Sequence, residues 1–582
     1  MSCRRILPQI DSFALTTPWA WRRVGRAAAT ALALALLTGQ ALGTEYHVAT
    51  TGSDSNDGTQ AAPFASLSKA NSAAAAGDTI WVHAGTYFLT TQLVLSKSGS
   101  SDTNRTKVFA YPGEKPVLDA SKYVTSNPAV DVPVVLVTGS FMHLKGLEIG
   151  NAKVGASGDH SYSLVRTKNA SNDTFELLDL HHGFGSGLFV DTGQGGNLIL
   201  NSDSHDNYDK DGSQGDGQNA DGFGVHYQTT GPSTIIRGCR AWNNSDDGYD
   251  FISQEVPITI ENSFASANGH GSGGNGNGFK IGSSQTGVRH IVQNNVAWGN
   301  KAAGFYANHS SGGNTWLNNS SYSNGTQYNM LASPAGDSSS TIILSGSLVH
   351  RMYNNVGYPN KNSNMGGVES ANNSWDLSIS EASAAFVSTM DTNCNGPRES
   401  DGSMPAACTF LHLKSTSALI DKGKDVGLPF TGAAPDLGAY EFGATAGAGG
   451  SSAGGSSAGG SSAGGSSAGG SSAGGPSGAG TAGMGGPSTG GSGAASGGAS
   501  SSGSGAPGSS GAPSSTTGGS APQGLAGGAS GTDGLQPSSA ETGGCGCSIP
   551  SRSRAPLGEA CWLLAGLASA RKRWRQKRAA RR

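Results

Sequence analysis

The chain has 582 residues, 92 of them Gly, and a formal net charge of −3. That small figure hides three regions: residues 1–43 carry five Arg against one acid, residues 544–582 carry ten Lys or Arg against one acid, and the stretch between holds 22 basic against 38 acidic residues, near −16. So acidic a body is excluded by charge as a nucleic-acid binder, and it would repel a polyanionic sugar unless a cation intervened.

In chain order, residues 1–43 read as a secretion signal. Arg22, Arg23 and Arg26 precede an apolar run from Ala27 to Leu37, and Ala41-Leu-Gly43 is a small-residue cleavage site. The run is short for a membrane span, so an exported body that is not membrane-embedded is expected. That body covers 44–443. Short strand-like runs fill it: 80–82, 134–137, 198–200, 234–236, 258–260, 290–292 and 341–344, punctuated by Gly, Asn, Ser and Asp. One short helix is predicted near 67–75. Cys394 and Cys408 flank a loop and can pair in an oxidising compartment, whereas Cys239 reads as a small apolar packing residue.

A repeat organises the body. Arg237-Gly-Cys-Arg-Ala-Trp-Asn-Asn244, Glu261-Asn-Ser-Phe-Ala-Ser-Ala-Asn268, Gln293-Asn-Asn-Val-Ala-Trp-Gly-Asn300 and Leu317-Asn-Asn-Ser-Ser-Tyr-Ser-Asn324 align, with the last Asn recurring at intervals of 24, 32 and 24 residues. A Gly-aromatic pair follows three of these segments, at Gly248-Tyr, Gly278-Phe and Gly304-Phe; Gly187-Leu and Gly222-Phe fit upstream. Two or three short strands per 24 residues describe one coil of an all-β parallel solenoid, too short a period for a four-stranded propeller blade. No coil buries its inward side chains alone, so stacking supplies the core and sets equivalent residues in ladders about 4.8 Å apart. Asn244, Asn268, Asn300 and Asn324 therefore read as ladder residues at tight turns, tolerant of left-handed backbone, and Trp242, Phe264 and Trp298 read as core.

Residues 444–543 are Gly, Ser, Ala, Thr and Pro with Ser-Ser-Ala-Gly-Gly repeats, which cannot bury enough apolar area to fold; a disordered tether is expected. Residues 544–582 combine Gly544-Cys-Gly-Cys547, an apolar stretch around 561–567 and a basic end at 571–578. This resembles the tripartite C-terminal sorting tails of bacterial surface proteins, the myxobacterial type especially. The resemblance implies a secreted protein that is retained at the surface or released. Glu559 interrupts the apolar part.

Three neighbouring segments carry the chemistry: Asn219-Ala-Asp221-Gly-Phe, Asn244-Ser-Asp246-Asp247-Gly-Tyr-Asp250 and Gly276-Asn-Gly-Phe-Lys280-Ile-Gly. Asp221 and Asp246 are 25 residues apart, close to one coil, and Lys280 follows Asp250 by 30, one coil later after a Gly-rich loop. Stacking gathers Asp221, Asp246, Asp247 and Asp250. Four carboxylates together repel one another, and Ca²⁺, which takes six to eight oxygen ligands, relieves this better than Mg²⁺. A lysine on the next coil fits a base beside that ion.

These segments resemble those of polysaccharide lyase family 9 pectate lyases, and the opening stretch from Tyr46 to Asp54 through Ala84–Tyr87 resembles their N-terminal cap. The resemblance covers roughly 46–443. It implies a right-handed parallel β-helix, Ca²⁺ held by Asp221, Asp246, Asp247 and Asp250, and Lys280 as Brønsted base. The substrate so implied is polygalacturonate or a related acidic polysaccharide. Calcium on the C6 carboxylate would stabilise developing charge while neutral Lys280 removes the C5 proton, breaking the C4–O bond to leave a 4,5-unsaturated end. An alkaline optimum is expected, since neutral lysine is the active form. A monomer is expected. Two rivals stand beside this reading. A polygalacturonase-like hydrolase would use the acids with Gly269-His270-Gly271, but Phe279-Lys280-Ile281 replaces an expected Arg-Ile-Lys and Asp250 has no task there. A non-catalytic glycan-binding surface solenoid would suit the tether and tail.

Overall fold

A computed structural model describes residues 43–379 and 382–444. The signal, tether and sorting tail read from the sequence lie outside these residues except at their edges. The body is a β-helix of three parallel sheets, most coils contributing one strand to each. Among the described residues, the first sheet has twelve strands, from Glu45–Val48 to Val368–Ala371. The second has nine, from Leu93–Leu95 to Thr326–Asn329, and the third has ten, from Gly85–Phe88 to Val356–Tyr358. The expected helix forms at Leu67–Ala73; Ser66 caps it by accepting from Lys69 N, and Leu67 and Ala70 are buried against the first coil. No helix among the described residues is long and apolar enough to cross a membrane.

Stacking dictates the interior. In the second sheet, Phe223, Tyr249, Phe279, Phe305 and Tyr328 lie one above another with ring centroids 5.3, 4.8, 4.9 and 5.0 Å apart. All five are fully buried, and an aromatic side chain buried this way contributes a few kcal/mol, roughly 3–5 when truncated to Ala. The glycine before the first four rings is a steric need; Gln327 precedes the fifth. A Cβ on Gly248 would stand 2.7 Å from Gly278 O and 2.9 Å from Asn268 Nδ2. The asparagine ladder is present: Asn244 Nδ2 donates to Asn268 Oδ1 at 3.1 Å, Asn268 to Asn300 at 2.9 Å, and Asn300 to Asn324 at 2.8 Å. Asn207 extends it below, donating to Asn244 at 2.9 Å.

Several expectations need correction. The left-handed residue of these turns is one position earlier, at Asn243, Ala267, Gly299 and Ser323, because the ladder amide itself must point inward. The third sheet's inner positions are Ala241, Ala265 and Ala297, so Trp242, Phe264 and Trp298 face out of the coil. Phe264 and Trp298 are core residues as expected, but of a second cluster, because residues 382–440 lie across that sheet. Phe410 packs on Trp298 at 4.8 Å, and Trp298 Nε1 donates to Asp391 Oδ2 at 2.7 Å. Trp242 instead stacks on His205 at 4.1 Å on the outer surface. The Cys394–Cys408 disulfide closes a loop in this strap, and Cys239 is free and buried. The run at 341–344 makes no strand: Ile342 forms a single bridge to Ala332, and Ile343 is exposed.

Candidate active site

The second sheet positions the site. Strand Phe223–His226 pairs with Tyr249–Phe251, which pairs with Phe279–Ile281. Inward rings alternate with outward side chains, so Asp250 and Lys280 meet in register on the outer face. Lys280 Nζ lies 3.1 Å from Asp250 Oδ2 and 3.0 Å from Asp247 Oδ2. Oxygens of Asp221, Asp247 and Asp250 fall within 4.8 Å of one another, and all three residues are buried. Asp246, the fourth predicted ligand, is buried beside them, and its Oδ1 accepts from Asn275 N at 2.6 Å and Asn275 Nδ2 at 3.0 Å.

Neighbours hold the carboxylates in place. Asp247 Oδ1 accepts from Asn277 N at 2.6 Å and Nδ2 at 2.9 Å. Asp221 Oδ1 accepts from Asp247 N at 3.2 Å, and its Oδ2 from Ser186 Oγ at 3.3 Å. Burial pushes the Asp221 carboxyl well above its ordinary range, with Asp250 and Asp247 adding repulsion and Lys280 opposing. The Asp246 carboxyl is driven well above its range by burial and then by Asp247 and Asp221. Burial raises Asp247 too, against the pull of Lys280.

No sequence motif marks Asn275, Ser186 or His226. Asn277 lies within the Lys280 segment, three residues before the lysine. His226 lies two positions beyond Gly224 on the same outward face; its Nε2 is buried without a hydrogen-bond partner, 3.9 Å from Asp250 Oδ2. Burial lowers its pKa, which favours neutral imidazole.

The donor set fits a hard cation. It is made of oxygen, it is clustered, and Asp250 Oδ1 is buried with no hydrogen-bond partner. Asp221, Asp247 and Asp250 are the residues that would hold the ion; Asp246 falls outside that group, its Oδ1 accepting from Asn275.

The right-handed β-helix region of Pel9A-like proteins matches residues 46–373. The chain belongs to the Pel9A-like right-handed β-helix family. Pectate lyase L of Dickeya dadantii (strain 3937) is 34% identical over 411 residues, covering 68% of this chain and 90% of that protein. The crystal structure of pectate lyase Pel9A superposes with a TM-score of 0.59 at 32% identity, covering 69% of this chain and 97% of the other. A rhamnogalacturonan lyase structure gives a TM-score of 0.57 at 29% identity, covering 64% and 97%. With the family comes the enzyme class: this chain is a polysaccharide lyase.

Proposed function

We propose that the protein is a calcium-dependent pectate lyase that cleaves polygalacturonate by β-elimination, with Lys280 as base. One observation carries the reading. An amine and a carboxylate nest sit within 3.0–3.1 Å of each other, on adjacent rungs of an outward face. A polygalacturonate chain carries a C5 hydrogen next to a carboxylate. Calcium held by Asp221, Asp247 and Asp250 would neutralise the nest and stabilise negative charge developing on the substrate carboxylate.

The chain's own residues do the rest. Asn275 and Asn277 fix Asp246 and Asp247, so the nest needs little rearrangement on binding. Lys280 takes the C5 proton at Nζ, and the C4–O bond then breaks to give a 4,5-unsaturated end without addition of water. As a base it must first shed its own proton, and an alkaline optimum follows. The hydrolase alternative is disfavoured because His270 is exposed on its loop while the acids are buried, Asp247 and Asp250 paired with Lys280. By its signal and tail the protein is proposed to act outside the cell.

The test is incubation of the purified protein with polygalacturonate, and separately with rhamnogalacturonan, following near-ultraviolet absorbance with and without a chelator. Chelator-sensitive unsaturated products on polygalacturonate support the reading. Saturated reducing ends, or binding without turnover, would replace it with the hydrolase or the glycan-binding solenoid.

A further inference from the structure

Lys280 and Asp250 belong to an outward ladder that continues toward the N-terminal end of the second sheet. Register sets Leu136, Arg166, Phe189, Gly224, Asp250 and Lys280 in one row. Gly224 has no side chain, and the ring of Phe189 occupies the space: a Cβ there would come 2.6 Å from Phe189 Cδ2. The ring therefore leans along the helix axis toward Asp250. Its edge meets His226, with centroids 4.7 Å apart and planes at 87°. The Arg166 guanidinium stands 5.0 Å from the ring centroid and is itself fixed by Asp131 at 2.8 Å and Asp191 at 2.5 Å. The core does not use this ring, since Leu188 and Val190 on either side fill the interior of that coil.

We propose that Phe189, steadied by Arg166, is a stacking platform for a pyranose ring of the bound acidic polysaccharide, remote from the bond that breaks. The proposal rests on the lyase reading above. Three rungs of about 4.8 Å place the Phe189 position roughly 14 Å from that of Lys280. The sugar stacked there is a different one from the sugar that loses its proton. A pyranose presents an apolar C–H face that an aromatic ring covers well, and the groove axis then runs along the helix from Lys280 past Gly224. Phe189 is a specificity residue for chain length, not a catalytic one.

The experiment measures kcat/KM for galacturonate oligomers of increasing length with the wild-type protein, Phe189→Ala and Phe189→Trp, all loaded with calcium. The wild-type value should climb with length until the chain reaches the platform. F189A should match wild type on the shortest cleaved oligomer and lose roughly three- to tenfold on long ones, mostly through KM, the factor an aromatic contact supplies. F189W should keep the gain, which separates lost stacking from a folding defect. Equal loss on short and long oligomers in both variants, or no loss in F189A, overturns the platform. Absence of unsaturated products from the wild-type protein would overturn the lyase reading itself, a distinct result.

Discussion

Asp173 offers a prediction that the fold alone determines. It stands just before strand Thr174–Glu176 of the first sheet and is fully buried. Its Oδ1 accepts from Met142 N at 2.8 Å, and its own N donates to Asn197 Oδ1 at 2.9 Å. The ladder asparagines make the same pair of contacts: Asn244 Oδ1 accepts from Asn207 N at 3.3 Å, and Asn244 N donates to Asn268 Oδ1 at 3.1 Å. In those residues Nδ2 also donates to the next rung. In Asp173 an oxygen takes that place, and Oδ2 has no hydrogen-bond partner. Burial pushes the carboxyl up to about 8 from 3.8, with the Met142 N–H and the Arg105 charge opposing. A carboxyl with a raised folded pKa binds more protons folded than unfolded. Stability is therefore intact below about pH 4, falls as pH rises through about 8, and is level above that. At about 1.4 kcal/mol per unit, the full loss approaches ~5–6 kcal/mol as an upper bound. Asp173→Asn removes the titration and adds a donor worth about 1 kcal/mol. The advantage of the variant over wild type should grow by about 2–3 kcal/mol between pH 6 and pH 9, a few degrees in Tm for a body of this size. Other carboxyls cancel in the difference. Urea or thermal unfolding of both proteins across that range, in calcium, measures it. A difference that does not change with pH would refute the argument.

Further outcomes follow from the site and the ladders. Lys280→Ala should lower kcat by about 10²–10⁴ while leaving calcium-dependent binding of polygalacturonate in place; unchanged turnover in a rate assay would remove Lys280 as base. Chelation should abolish activity, and calcium at 100-fold over its Kd should stabilise the fold by about 2–3 kcal/mol, an effect that Asp247→Asn shrinks in a thermal scan. Because Asp221, Asp246 and Asp247 are held above their ordinary range without metal, protons compete with the ion. Calcium affinity by calorimetry should weaken as pH falls from 8 to 5. Asn268→Ala breaks the ladder in both directions and leaves buried groups unpaired, so it should cost about 1–3 kcal/mol in urea unfolding.

The sequence and the structure agree where a physical rule acts between rungs. The Gly-aromatic pairs forecast a stacked inward column because a ring repeated once per coil must lie over its neighbour. Asp250 and Lys280, each one position beyond such a ring, had to face outward. The strap could not be read the same way. Trp242 and Trp298 recur with the ladder, Phe264 stands two positions earlier in its segment, and periodicity cannot tell an inward residue from an outward one that a distant segment later covers. Only the small inner residues Ala241, Ala265 and Ala297 carry that signal, and they look unremarkable in a chain rich in Ala. The run at 341–344 failed for a related reason: β-branched residues favour a strand, but no rung is available there for them to join.

The location of the site has its own reason, and it lies in coil length. From each ladder Asn to the following Gly-aromatic glycine the spacing is 4 residues for Asn244 to Gly248 and for Asn300 to Gly304, but 15 for Asn207 to Gly222 and 10 for Asn268 to Gly278. The acidic coil thus has a short turn flanked on both sides by long ones. The short turn forces Asp246 and Asp247 close to the sheet, next to Asp250. The long turn after it supplies Asn275 and Asn277, which reach back to those carboxylates. Lys301 holds that loop by donating to Gly274 O at 2.8 Å, and Asp216 of the other long turn accepts from Ser272 N at 3.0 Å. Carboxylates that repel one another need such external restraint until a cation arrives, and a uniform 24-residue coil has no backbone to spare for it. Departures from the period, more than the acids themselves, mark the proposed ion site.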